Sequence, residues 1–156
     1  MRPFGKSVIA AAMTLVSPAL ADDRSDVTAV LRQYQSAIER LDAASATPLF
    51  ATDARIFEQG GDEGTWTTYL THHLKPELAE FSRFTFSNYA VDVDVAIFGD
   101  LAVASERYRY DIVLKKDGAQ LSRLGVATSV LKRTPQGWRI LQHHSSSRKP
   151  PEPGKP

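Results

Sequence analysis

Four histidines stand in two adjacent pairs, His72-His73 and His143-His144, and imidazole is the side chain most able to exchange protons near neutral pH. Adjacency limits each pair. Neighbours on a helix point about 100° apart, and neighbours on a strand point to opposite faces. One histidine from each pair can therefore serve a common site. Trp138, Ile140, Gln142 and His144 share a strand parity, which assigns His144 to the apolar face and His143 to solvent. Trp66, Tyr69, Leu70 and His73 share one side of a helix, which makes His73 the inward member and His72 the solvated one. Glu58 shares strand parity with Ile56 and points the same way. A carboxylate beside an imidazole forms a general acid–base pair, its pKa raised by partial burial. The plainer role for Glu58 is to accept hydrogen bonds from the Gly60-Gly61 turn or to pair with an arginine.

A second set lies on a longer strand, where Ala104, Glu106, Tyr108, Tyr110 and Ile112 alternate with Val103, Ser105, Arg107, Arg109 and Asp111. Tyr108 and Tyr110 then share the inner face, where a phenol either donates to a ligand oxygen or fills core. Arg107 and Arg109 face outward, toward solvent or a second copy. The candidate ligand-binding set is thus Glu58, Trp66, Tyr69, His73, Tyr108, Tyr110 and His144, with Glu58 and His144 the catalytic candidates. His73, His144 and Glu58 are also metal-ligand types, but the short His-x-x-x-His spacing is absent, so no metal is expected. Phosphate-loop, dinucleotide and Gly-x-Ser-x-Gly fingerprints are absent too, and no cofactor is expected.

Positioning these groups takes two kinds of element. Ser25 can cap a helix, after which Val27, Val30, Leu31, Tyr34, Ile38 and Leu41 recur at helical spacing. Asp42 to Phe50 reads as a second, shorter helix, and Ala54 to Gln59 as a strand ended by Gly60-Gly61. Thr65 can cap a third helix, which Pro76 interrupts or restarts. After Arg83 the period becomes two: Val91, Val93, Val95 and Ile97 alternate with Asp92, Asp94 and Ala96. Phe84 and Phe86 lie on the opposite parity, so a bulge near Ser87-Asn88 must reset the register. Gly99-Asp100, Asp117-Gly118 and Pro135-Gln136-Gly137 mark the turns of an antiparallel meander. The pattern is α+β, with helices packed on one face of a bent sheet.

The 156 residues carry 42% hydrophobic and 24% charged side chains, which suits one soluble domain with its own core. A formal charge of +1 without a basic cluster argues against nucleic acid as partner. The first 21 residues read as a cleavable leader. Arg2 and Lys6 precede the apolar run Val8 to Val16, and Ala19-Leu20-Ala21 offers the small-x-small cleavage site. The run is far below the roughly 20 residues that span a bilayer. Cleavage after Ala21 leaves 17 basic and 18 acidic side chains on an exported, periplasmic or secreted chain with no membrane attachment. Cysteine is absent, so disulfides and thiolate chemistry are excluded. Residues 148–156 are expected to be a proline-rich disordered tail.

Several phrases resemble the nuclear transport factor 2-like superfamily, and within it the SnoaL-like members. Asp42-Ala43-Ala44-Ser45-Ala46-Thr47-Pro48-Leu49-Phe50-Ala51-Thr52-Asp53-Ala54 is similar to the second helix running into the first strand. Gly137-Trp138-Arg139-Ile140, continuing to His144-Ser145-Ser146, is similar to the closing strand. Glu58-Gln59-Gly60-Gly61 and Tyr69-Leu70-Thr71-His72-His73-Leu74 resemble phrases of exported members. The likeness spans Asp26 to Ser147, within a domain of residues 22–147. It implies a cystatin-like cone: a strongly curved antiparallel sheet wrapped around N-terminal helices, with a pocket at the open end. It also implies a homodimer formed through the sheet. Relatives include ligand binders, isomerases, dehydratases, cyclases and assembly modules, so the resemblance leaves three readings. They are a small-molecule-binding domain, an acid–base enzyme using Glu58 or His144, and a dimeric module without ligand.

Overall fold

Residues 18–91 and 96–151 are described by a computed structural model of the chain. The leader before Pro18, the alternating stretch Asp92 to Val95, and the tail from Glu152 onward lie outside the described residues. The first helix, α1 (Pro18–Glu39), starts upstream of Ser25 and buries Val27, Val30, Leu31, Ala37 and Ile38 along one stripe. It stops where Leu41 takes a left-handed conformation (φ 57°). Asp42 then accepts from the Ser45 N–H and opens a 3-10 helix, Ala43–Leu49, with Pro48 near its end.

Strand β1 (Phe50–Glu58) turns back through Gln59-Gly60 into β2 (Gly61–Thr65), a strand the glycine-rich sequence disguises as turn. Thr65 caps the second helical segment by accepting from the Thr68 N–H. That segment comprises α2 (Trp66–Tyr69), one π turn (Leu70–Leu74) and α3 (Lys75–Ala79). The π turn comes just before Pro76, which lacks the N–H an unbroken α-helix would need there. The rest is sheet: β3 (Phe81–Ala90), β4 (Ala96–Phe98), β5 (Leu101–Leu114), β6 (Gln120–Thr134) and β7 (Gly137–Arg148).

The strands run β2-β1-β7-β6-β5-β3 across one sheet, with β4 also on β5. Every pair is antiparallel except β1 with β7, which brings the first strand beside the last. Bulges bend it. Asn88 takes a positive φ (50°) where the β3–β5 register shifts between Ser87 and Ala90, at the reset that the Phe84/Phe86 parity demands. A second shift falls between Val130 and Leu131 on β6, opposite Leu141. The sheet curves over α1 and the second helical segment, giving the nuclear transport factor 2-like, cystatin-like α+β cone. Among the described residues no helix is long and apolar enough to cross a membrane.

Candidate functional site

The inner face of the sheet and the two helical segments enclose a cavity of about 100 Å3, open to solvent on one side. Its wall is aromatic: Phe84 and Tyr110 stack at 5.0 Å, and the Phe86 and Tyr108 rings meet edge to face at 5.2 Å. Tyr34 from α1 and Tyr69 from α2 close the helical side. Tyr108 depends on an absent side chain. It lies opposite Gly125 on β6, where a Cβ would stand 2.0 Å from the Tyr108 Cε2. Only glycine admits the ring there.

The Leu141 bulge decides which histidine faces this space. Trp138 and Ile140 are inward, but one extra residue then shifts the parity of β7, and His143 rather than His144 continues the inner face. His143 is 6% exposed and lines the cavity, its ring edge-on to Tyr34 at 5.3 Å. His144 is exposed, beside Phe57. The assignment expected from strand parity is therefore reversed for these two, because parity is conserved only while pairing is regular.

His143 ends a buried polar chain. Tyr89 donates to Glu106 Oε1 (2.6 Å), Ser129 donates to Glu106 Oε2 (3.3 Å), and His143 Nδ1 lies 2.9 Å from Ser129 Oγ. Ser129 has one hydroxyl proton, and it goes to the carboxylate. While Glu106 is ionised and takes that proton, His143 donates from Nδ1 and Nε2 is the unprotonated nitrogen. Burial, with the neighbouring His144 charge adding to it, lowers the His143 pKa to about 4, so the ring is neutral at pH 7. Burial raises the Glu106 pKa, against the hydrogen bonds from Tyr89 and Ser129. Tyr108 is likewise pushed up, by burial first and then by the Glu106 charge.

A second cluster rims the opening. Tyr69 donates to Glu58 Oε2 (2.7 Å), and His73 stands outside the cavity with Nδ1 3.0 Å from Glu63 Oε2. Its Nε2 is 3.8 Å from Glu58 Oε2 and 4.0 Å from Glu77 Oε2. Burial works against the His73 charge, but the Glu63 hydrogen bond and three carboxylates outweigh it and raise the pKa. Burial, then the Glu58 charge, raises that of Glu77.

Of the residues singled out in the sequence, Glu58, Tyr69, Tyr108 and Tyr110 line the cavity together. Trp66 instead stacks on Phe50 (3.8 Å, 7°) and donates to Thr47, inside the core. Glu58 and His73 meet, while His144 is on the other face of the sheet, so these three do not form one ligand set. Among the described residues no group of three or more acids and histidines is placed to hold a metal ion. Glu106 and Glu77 line the cavity and Ser129 joins Glu106 to His143, and sequence reasoning names none of the three as a candidate. The parity of Glu106 with the buried Ala104 and Ile112 is its available signal, whereas Ser129 carries none.

The model of the SnoaL-like domain family matches residues 27–150. The chain belongs to the SnoaL-like family. No curated protein matches its sequence. The fold of this SnoaL-like chain is similar to that of a nuclear transport factor 2-like superfamily protein from Salmonella enterica serovar Typhimurium. The two share 20% identity over 86% of this chain and 96% of the other, with a TM-score of 0.71. It is similar also to a ketosteroid isomerase-like protein from Erwinia carotovora atroseptica (16% identity, 83% and 98% covered, TM-score 0.68). A third similar structure is the hexachlorocyclohexane dehydrochlorinase LinA-type3 from Novosphingobium barchaimii (13%, 88% and 94%, TM-score 0.66).

Proposed function

We propose that this SnoaL-like chain takes a small, partly apolar molecule into the open end of the cone. The carrying observation is the aromatic cavity into which a few polar groups, Glu58, Glu106 and His143, converge. The test is a screen of aromatic fragments by ligand-observed NMR, with Glu77→Trp as the blocked control. Glu77 lines the cavity with a side chain 45% exposed, so an indole there plugs the opening without crowding the core. Hits that bind wild type and are lost in Glu77→Trp support the reading. An empty screen, or hits indifferent to the plug, overturns it.

The His143 geometry favours a second reading, proton-transfer catalysis in the same cavity. A neutral imidazole with Nδ1 held by Ser129 is unprotonated at pH 7 and so available as a general base, a weak one at a pKa of about 4. The isomerase-like and dehydrochlorinase names of two similar structures agree with such chemistry. Export through the leader, and pairing of two copies through the outer sheet face, complete the proposal.

A further inference from the structure

We propose that the ligand of this cavity is a small organic cation, an amine with an aromatic or aliphatic body, whose charged end lies between Glu58 and Glu77. This inference rests on the pocket reading above and names the chemical class that the pocket selects. Three carboxylates line the cavity, Glu58, Glu77 and Glu106, and among the described residues lining it there is no lysine or arginine. Two guanidinium groups near lining tyrosines are not in the wall: Arg32 is 5.5 Å from the centre of the Tyr89 ring, and Arg123 bonds its own strand at the Ser122 carbonyl. An anionic ligand would meet three lining carboxylates and no lining lysine or arginine to pair with.

The acids are not all spent on internal contacts. Glu106 is, since both its oxygens accept hydrogen bonds from Tyr89 and Ser129. Glu58 accepts one, from Tyr69, on a single oxygen. Glu77 has His73 Nε2 no nearer than 4.0 Å, beyond hydrogen-bond distance. Both carboxylates therefore keep acceptor positions at the cavity. In the tautomer that donates from Nδ1 to Ser129, His143 Nε2, on a side chain 6% exposed, is a further acceptor. The free carboxylate positions accept from a donor, and the three lining acids select a cationic one. Tyr34, Tyr69 and Tyr110 line the cavity as well, and a phenol ring stabilises a cation that reaches its face. From outside, His73 already stands against these acids, and its contacts with Glu58, Glu63 and Glu77 raise its pKa.

Three probes of one size and different charge test this: 2-phenylethylamine, 2-phenylethanol and phenylacetate, titrated by calorimetry at pH 7 into the full chain. The amine is expected to bind at least tenfold tighter than the alcohol, and phenylacetate more weakly than either. Glu58→Gln and Glu77→Gln are each expected to lower the amine-to-alcohol ratio several-fold. Asp53→Asn, an exposed acid paired with Lys132 away from the cavity, leaves the ratio unchanged. Glu58→Gln keeps an oxygen for Tyr69, and Glu77 is exposed, so neither change empties the core. Alcohol binding equal to or tighter than amine binding overturns the cation assignment and leaves the pocket reading standing. So does an amine preference indifferent to both glutamine variants. Failure of all three probes to bind counts against the pocket itself and removes this inference with it.

Discussion

His143 illustrates how much one side chain's surroundings determine. An imidazole in an unfolded chain titrates near 6.5, whereas burial holds His143 at about 4 in the fold. Above pH 6.5 neither state binds the proton, and the native state carries no penalty. As pH falls from 6.5 toward 4 the unfolded chain takes up a proton that the native ring refuses, so stability falls over that window. The loss amounts to about 3 kcal/mol at its acid end. His143→Asn removes the titration while its amide nitrogen can still donate to Ser129. Urea denaturation at pH 7 and pH 4 is expected to show wild type losing more stability than the variant, by that amount. Equal losses in the two proteins would mean that the ring is hydrated and takes a proton in the folded state.

At the scale of elements the cavity depends on how β5, β6 and β7 pair. Tyr108 occupies its place only because β6 offers Gly125 opposite it, with a Cβ position 2.0 Å from the ring. Gly125→Ala is expected to push the ring into the cavity and to cost about 1–3 kcal/mol as an overpacked contact. Urea unfolding measures the cost, and fragment binding should weaken in parallel. Unchanged stability would show that Tyr108 has another rotamer at no cost. The same strands mark the boundary of what the sequence reveals. Helix α1 is legible because Val27 to Ile38 repeat locally, and β5 because Ala104 to Ile112 alternate without interruption. Even the bulge at Asn88 is forced, since Phe84 and Phe86 conflict in parity with Val91. The Leu141 bulge is not legible. It arises from how β7 pairs with β6, a non-local property, and it moves the inner histidine from His144 to His143. The parallel β1–β7 pairing is non-local too, and Gly61–Thr65 is a strand only because β1 lies beside it.

For the whole molecule, the beginning of α1 connects the fold to its proposed export. Asp23 is 8% exposed and its Oδ2 lies 2.5 Å from Arg133 Nη2, which lowers the Asp23 pKa. The Arg133 guanidinium also lies 4.5 Å over the Trp138 ring, and its Nε approaches Asp100 at 3.6 Å. One arginine thus fastens the start of the helix to β7 and to the β4–β5 turn. The proposed cleavage after Ala21 leaves this fastening whole by one residue, and the buried stripe begins only at Val27. Residues 22–156 should therefore match the full chain in melting temperature, while residues 25–156 and Asp23→Ala should both melt lower. N-terminal sequencing of protein recovered from the periplasm should read Asp22-Asp23-Arg24. A read beginning beyond Asp23 would mean that the mature chain discards its own anchor, and the cleavage proposal would fall. A Met1 read would remove the cleavage, and absence of the protein from the periplasmic fraction would remove export. If Asp23→Ala melts with wild type, the Arg133 contact is a solvated surface pair, and α1 is held by its apolar stripe alone.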